Sequence, residues 1–142
     1  MAFKVFLDAN FLLDLMLQRA GFGHANDIVQ LALDGKIRLY TTPTVLHITG
    51  YYTSQAYSSR QAKQLLLALL NDVQIIDSDH TAALMALNSS MEDIEDALQY
   101  YTAIKFGIEY FISSDKKLKK EAIPQLSVYT AEELLAELGH DS

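Results

Sequence analysis

Asp8 and Asn10 stand two residues apart where an apolar run ends, in VFLDANFLLD, and Asp14 follows four residues after Asn10. Further along, MEDIEDALQYY places Asp93 and Asp96 three residues apart, and FISSDKK places Asp115 just beyond a second apolar run. Carboxylates aimed at one point repel one another unless a cation lies among them. Together with water they are natural ligands of Mg2+ or Mn2+. A cation held in this way can activate water, orient a phosphodiester and stabilise a leaving oxygen. The same aspartates suit a second purpose, because an Asp at a helix start caps free N–H groups and complements the helix dipole. The two readings differ in whether Asp8, Asp96 and Asp115 converge, which spacing alone does not decide.

The elements that would position these side chains alternate between strand and helix. FKVFL (3–7), IRLYT (37–41), VQIID (73–77), IEYFIS (108–113) and LSVYT (126–130) read as strands, being rich in aromatic and β-branched residues. Helical spacing of apolar residues predicts helices over 10–19, 24–34, from Pro43 past Gly50, 61–70, 79–88, 89–107 and 131–138. Asp79 is a candidate cap for one of them, Ser89 or Ser90 for the longest, and Gly35 and Gly107 close two. This alternation predicts an α/β three-layer sandwich around a mostly parallel five-stranded sheet. In such a sheet chemistry gathers at the carboxyl ends of strands, which is where Asp8 and Asp115 fall.

The 142 residues, 50% of them hydrophobic, suit a single domain over 1–142, with a frayed tail at 139–142. No run of 18 apolar residues occurs, so no membrane span is expected, and a cytoplasmic location is the default. The absence of cysteine removes thiolate nucleophiles, disulfides and Cys-based zinc sites. A net charge of −7 argues against a simple backbone clamp for nucleic acid, unless the acidity is concentrated at a metal site. No Walker loop, GxGxxG or Gly-x-Ser-x-Gly occurs, which disfavours ATP, NAD and serine-hydrolase chemistry. Asp8 is followed two residues later by Asn10 rather than a second Asp, unlike the phosphoaspartate enzymes.

VFLDANFLLD together with DIEDALQYYTAIKFGIEYFISSD resembles the PIN domain family, which includes the metal-dependent ribonuclease toxins of VapBC-type toxin–antitoxin pairs. Asp8, Ala9 and Asn10 match the family's opening motif. Asp93, Asp96 and Ala97 match its acidic helix start, and Ala103 its small residue further along. Ile112, Ser113, Ser114 and Asp115 match its closing strand and acid. The ordered set spans residues 3 to about 138. One position departs: His47 stands where the family commonly carries a glutamate.

The resemblance implies a ribonuclease that hydrolyses RNA phosphodiester bonds with Mg2+ or Mn2+. Asp8, Asp96 and Asp115 would hold the metal, and Asp93 would serve as a nearby ligand or water-orienting group. Asn10, Asp14 and His47 are accessory candidates. Asn10 and Asp14 can equally be a cap and a polar-face residue, and His47 can pack without catalytic work. Lys116, Lys117, Lys119 and Lys120 suit RNA phosphates, or else form a solvated turn before Pro124. The implied partners are an RNA substrate and a small DNA-binding antitoxin. A homodimer is also implied, covering the helices around Tyr51, Tyr52, Tyr57 and the leucine run 65–70, unless that run is buried within the chain. His47 motivates an alternative, a catalytically weakened PIN-like domain that binds RNA or a protein.

Overall fold

Strand β1 (Phe3–Leu7) takes the middle of the sheet because Val5, Phe6 and Leu7 are inaccessible on both of its faces. A strand apolar on both sides needs helices on both sides, and that requires parallel neighbours joined by crossovers. The computed structural model, which describes residues 2–139, supplies them. β2 (Ile37–Thr41), β3 (Val73–Ile75), β4 (Tyr110–Ile112) and β5 (Val128–Tyr129) join β1 in the order β3-β2-β1-β4-β5. Every pairing is parallel, where the sequence predicts a mostly parallel sheet. The chain steps to one side of β1 for β2 and to the other for β4. The carboxyl ends of β1 and β4 therefore border the crevice at which open α/β sheets bind ligands.

Eight helices are present among the described residues: α1 (Ala9–Leu17), α2 (Phe22–Leu33), α3 (Pro43–Ala56), α4 (Ser59–Leu69), α5 (His80–Asn88), α6 (Ile94–Lys105), α7 (Lys116–Glu121) and α8 (Ala131–Glu137). α6 covers the sheet face that carries Phe6 and Phe111, whose rings stack 4.6 Å apart, and Tyr100 of α6 lies 5.7 Å from Phe111. α2 and α8 pack against each other and against the sheet.

Several boundaries differ from expectation for local reasons. The longest helix starts at Ile94 rather than 89, because Ser89 closes α5, its hydroxyl donating to Ala86 O at 2.7 Å, while Asp93 takes the cap of α6. KKLKK is a short helix, α7, rather than a solvated turn, because Asp115 caps it and Leu118 is buried. The leucine run is not deep in the core: Leu69 is buried, but Leu67 is 67% exposed. α4 packs chiefly on α3, and Tyr57 after α3 ties this pair to α1 by donating to Met16 O at 3.1 Å. Tyr51 and Tyr52 both face solvent, their rings edge to face at 5.2 Å. Of the expected tail, Gly139 is described, and 140–142, with His140, lie outside the described residues. Among the described residues no helix is long and apolar enough to cross a membrane.

Gln18, which ends α1, is the one non-glycine residue at positive φ (50°) among the described residues. A side chain there costs about 1 kcal/mol relative to glycine. Gln18→Gly is expected to raise the thermal midpoint by a few degrees, roughly the shift 1 kcal/mol gives a domain of this size. Differential scanning calorimetry checks it, and an unchanged or lower midpoint contradicts it.

Candidate active site

Asp8 directly follows β1, and its backbone N–H donates to Ile112 O at 3.2 Å, which draws the ends of β1 and β4 together. Its Oδ1 accepts from Ala9 N at 2.7 Å as α1 begins, and its Oδ2 accepts from the hydroxyl of Ser113 at 2.7 Å. That hydroxyl also accepts from Asp115 N at 3.1 Å. Ser113 is buried, so one side chain sets the orientation of Asp8 and the backbone of Asp115 together. Its place in FISSD, at the end of a strand and two residues before an acid, was the available sign of this role, which sequence reasoning missed.

The other acids arrive on helix starts. Asp115 Oδ1 accepts from Lys117 N at 2.9 Å and Leu118 N at 3.3 Å, capping α7. Asp93 Oδ1 accepts from Asp96 N at 2.8 Å, capping α6. In both, the second carboxylate oxygen makes no hydrogen bond among the described residues. The capping reading and the convergent reading thus describe the same side chains.

Asp96 lies within the electric fields of Asp8, Asp93 and Asp115, and Asp8 within that of Asp115. Burial first, and then the charges of Asp93, Asp8, Asp115 and Glu95, push the Asp96 carboxyl up to about 7 from its ordinary 3.8. The Asp8 carboxyl is also raised, mainly by burial and further by Asp115, against the lowering effect of the Ser113 and Ala9 bonds. Glu95 is raised by burial, Asp93 and Asp8. Among the described residues, no lysine or arginine forms an ion pair with any of the four aspartates. No three His, Asp or Glu side chains among them form a ready-made metal cage. This donor set, hard oxygens in an open arrangement with no ion-paired lysine or arginine among the described residues, has the chemistry that suits Mg2+ or Mn2+, which keep waters in their coordination shell.

The accessory candidates separate. Asn10 is exposed at the start of α1, near the crevice. Asp14 is held elsewhere: Arg19 Nε donates to its Oδ1 at 2.9 Å, and a Cβ on Gly21 would lie 2.4 Å from its Oδ2. His47 is exposed and lines a groove of about 740 Å3 between α3 and α4, beside Pro43, Tyr51 and Lys63 and with none of the four aspartates. Lys117 pairs with Glu92 at 2.8 Å and Lys119 with Glu133 at 2.5 Å. Lys116 and Lys120 are exposed and form no ion pair among the described residues.

The class is therefore a parallel α/β domain with an acidic crevice at the switch point of its sheet. The chain belongs to the PIN domain family, whose sequence profile matches residues 4–117. Ribonuclease VapC1 of Aquifex aeolicus (strain VF5) is similar, with 27% identity over 136 residues and 92% of each chain covered. The fold resembles VapBC2 of Rickettsia felis, solved bound to a DNA fragment from its promoter (TM-score 0.70, 18% identity, 89% of this chain and 98% of that one). It also resembles VapC20 of Mycobacterium tuberculosis, a sarcin-ricin loop cleaving toxin (TM-score 0.65, 17% identity, 85% of this chain and 97% of that one).

A carboxyl whose pKa is higher in the folded than in the unfolded chain adds stability below its unfolded value and loses it as pH rises through its folded value. For Asp96 that window runs from 3.8 to about 7. The thermal midpoint of the metal-free protein is expected to carry a component that falls across this window. Asp96→Asn should remove that component and raise the midpoint at about pH 8, where repulsion among the acids is fully developed. Thermal melts in EDTA across pH check it. A variant less stable than the parent at high pH would contradict the electrostatic account.

Proposed function

We propose that this chain is a Mg2+- or Mn2+-dependent endoribonuclease and the toxin half of a toxin–antitoxin pair. The observation that carries the reading is the set of four aspartates over the switch point, none paired with a protein cation among the described residues. Membership in the PIN domain family and likeness to a curated ribonuclease support it.

Asp8, Asp96 and Asp115 would hold the cation, with Asp93 as a further ligand or water-orienting group. The bound cation supplies Lewis-acid chemistry and makes water more acidic. Ser113 keeps the Asp8 carboxylate from rotating and fixes the turn that presents Asp115. Asp96, with its raised affinity for protons, takes up or releases a proton near neutral pH according to the charge beside it. Lys116 and Lys120 offer positive charge to phosphates, whereas Lys117 and Lys119 already neutralise Glu92 and Glu133. Hydrolysis adds water across a P–O bond, leaving phosphate on one RNA product and hydroxyl on the other.

The names of the structural relatives, a VapBC assembly with promoter DNA and a toxin, support a small DNA-binding antitoxin as partner. The absence of a membrane-crossing helix among the described residues is compatible with a cytoplasmic setting. The exposed tyrosines and leucines of α3 and α4 support a homodimer through this pair. Sedimentation equilibrium at tens of micromolar is expected to give the dimer mass, and a monomer mass would defeat that assignment. One observation favours a second reading, a non-catalytic RNA- or protein-binding module: His47, in place of the usual glutamate, stands in the α3–α4 groove with none of the four aspartates.

Purified protein is expected to cleave RNA with Mn2+ and to stop in EDTA. Asp8→Asn and Asp96→Asn should each lower the rate at least about 100-fold, and Ser113→Ala roughly 10-fold. Gel assays on single-stranded and structured RNA check this. Wild-type silence on both with either metal would leave the binding-module reading standing.

A further inference from the structure

Arg19 lies in the turn that ends α1, and this turn folds the chain back along the helix it has just left. Gln18 takes the left-handed conformation that reverses the chain (φ 50°). Arg19 N then donates to Asp14 O at 3.1 Å, and Phe22 N donates to Arg19 O at 2.9 Å. Gly21 packs so closely on Asp14 that a Cβ there would lie 2.4 Å from its Oδ2. The Arg19 backbone is thus held on both sides, and Asp14 Oδ1 is the oxygen that meets its side chain.

The guanidinium is anchored along one edge. Arg19 Nε donates to Asp14 Oδ1 at 2.9 Å, and Nη2 donates to the Asn10 carbonyl oxygen at 3.2 Å. Nε and Nη2 share one edge of the planar group, so that edge is spent on α1. Nη1 makes no hydrogen bond among the described residues. Together with the remaining N–H of Nη2 it forms a second two-pronged edge. A fork of this kind matches two oxygens of one phosphate. The side chain is 43% exposed, so the fork is open to solvent.

The two anchors give the fork its direction. Asp14 stands in the second turn of α1 and Asn10 in the first. The guanidinium therefore runs back along the helix toward the end that Asp8 caps. At 1.5 Å per residue, the Asn10 carbonyl lies within about one turn, roughly 5 Å along the axis, of Asp8. α1 itself carries no lysine or arginine. An RNA strand that approaches four aspartates, on a chain of net charge −7, needs fixed cationic donors at the rim to offset repulsion.

We infer that Arg19, braced by Asp14 and Asn10, is a phosphate-binding residue that holds the RNA strand on the α1 side of the four aspartates. This rests on the ribonuclease reading. Arg19 takes a backbone phosphate beside the one that is cleaved, so it governs how the strand lies rather than the chemical step. A phosphate carries no base identity, so the contact serves all sequences alike. An Arg19 that only tied the turn to α1 would affect the thermal midpoint and leave the salt dependence of RNA binding unmoved.

The test is fluorescence anisotropy of a labelled random-sequence single-stranded RNA against the full chain carrying Asp8→Asn, which suppresses cleavage. Mg2+ is held constant and KCl is varied. Adding Arg19→Gln is expected to weaken binding about tenfold at low salt. It should also lower the slope of log Kd against log salt by about 0.7, the loss of one phosphate contact to a single strand. In the Asp8→Asn chain without that change, the Arg19 Nε–H NMR signal should shift when the RNA is added. This second readout needs no alteration in the turn. An unchanged slope, a dissociation constant within about twofold of the parent, an unmoved Arg19 signal, or no RNA binding by the parent overturns the assignment. Cleavage by the wild-type chain with Mn2+ is scored separately. Binding that depends on Arg19 without cleavage would remove the enzyme reading and keep the contact, and cleavage with binding indifferent to Arg19 would do the reverse.

Discussion

Like charges must be held together against their own repulsion, and much of the architecture at the carboxyl edge of the sheet answers that demand. Asp8, Asp93 and Asp115 each accept hydrogen bonds from the backbone of the helix that follows, so α1, α6 and α7 all begin at the crevice. Helix starts carry positive partial charge, which offsets part of the cost of collecting acids there. The remaining repulsion appears in the raised proton affinity of Asp96, whose side chain caps nothing and lies among the others. Ser113 completes the arrangement by bonding to Asp8 while bracing the turn into Asp115.

The parts legible in the sequence were those encoded locally. Asp8 and Asp115 end apolar runs, so strand ends could be read directly, and the three-residue spacing of Asp93 and Asp96 placed both on one side of a helix. The strand-and-helix alternation was enough for the layered α/β class. The parts that were not legible depend on contacts between distant segments or on competition between neighbouring caps. Ser89 and Asp93 are both good caps, and the choice fell to Asp93 because Ser89 was needed to close α5. α7 was missed because KKLKK has no apolar stripe; its single buried contact, Leu118, becomes visible only in the fold. The direction of His47 depends on α4, which covers one side of α3 and turns that side into a groove. A hydrogen bond from Thr42 to Gln99 joins positions separated by 57 residues, and no local pattern announces it.

The α3–α4 pair stands apart from this economy of contacts. Its inner residues Val45, Thr49 and Thr53 are buried, but α4 commits only Ala62 and Leu69 to full burial. A helix so lightly held opens at lower free energy than the central strands. The Tyr57 hydroxyl, bonded to the end of α1, is the polar tie that links the pair to the segment leading from Asp8. Whatever covers the exposed leucines therefore also steadies one wall of the groove.

The order β3-β2-β1-β4-β5 also governs when the crevice can exist. Asp8 and the serine that orients it are 105 residues apart, on strands that meet only when β4 docks. On a ribosome, a nascent chain that has emerged as far as β3 can assemble β1, β2 and β3. It then carries Asp8 beside an unpaired strand edge, with no opposing acids. Synthesis of this protein thus passes its midpoint without building the acidic crevice, whose opposing acids arrive only with the segment from Asp93 to Asp115.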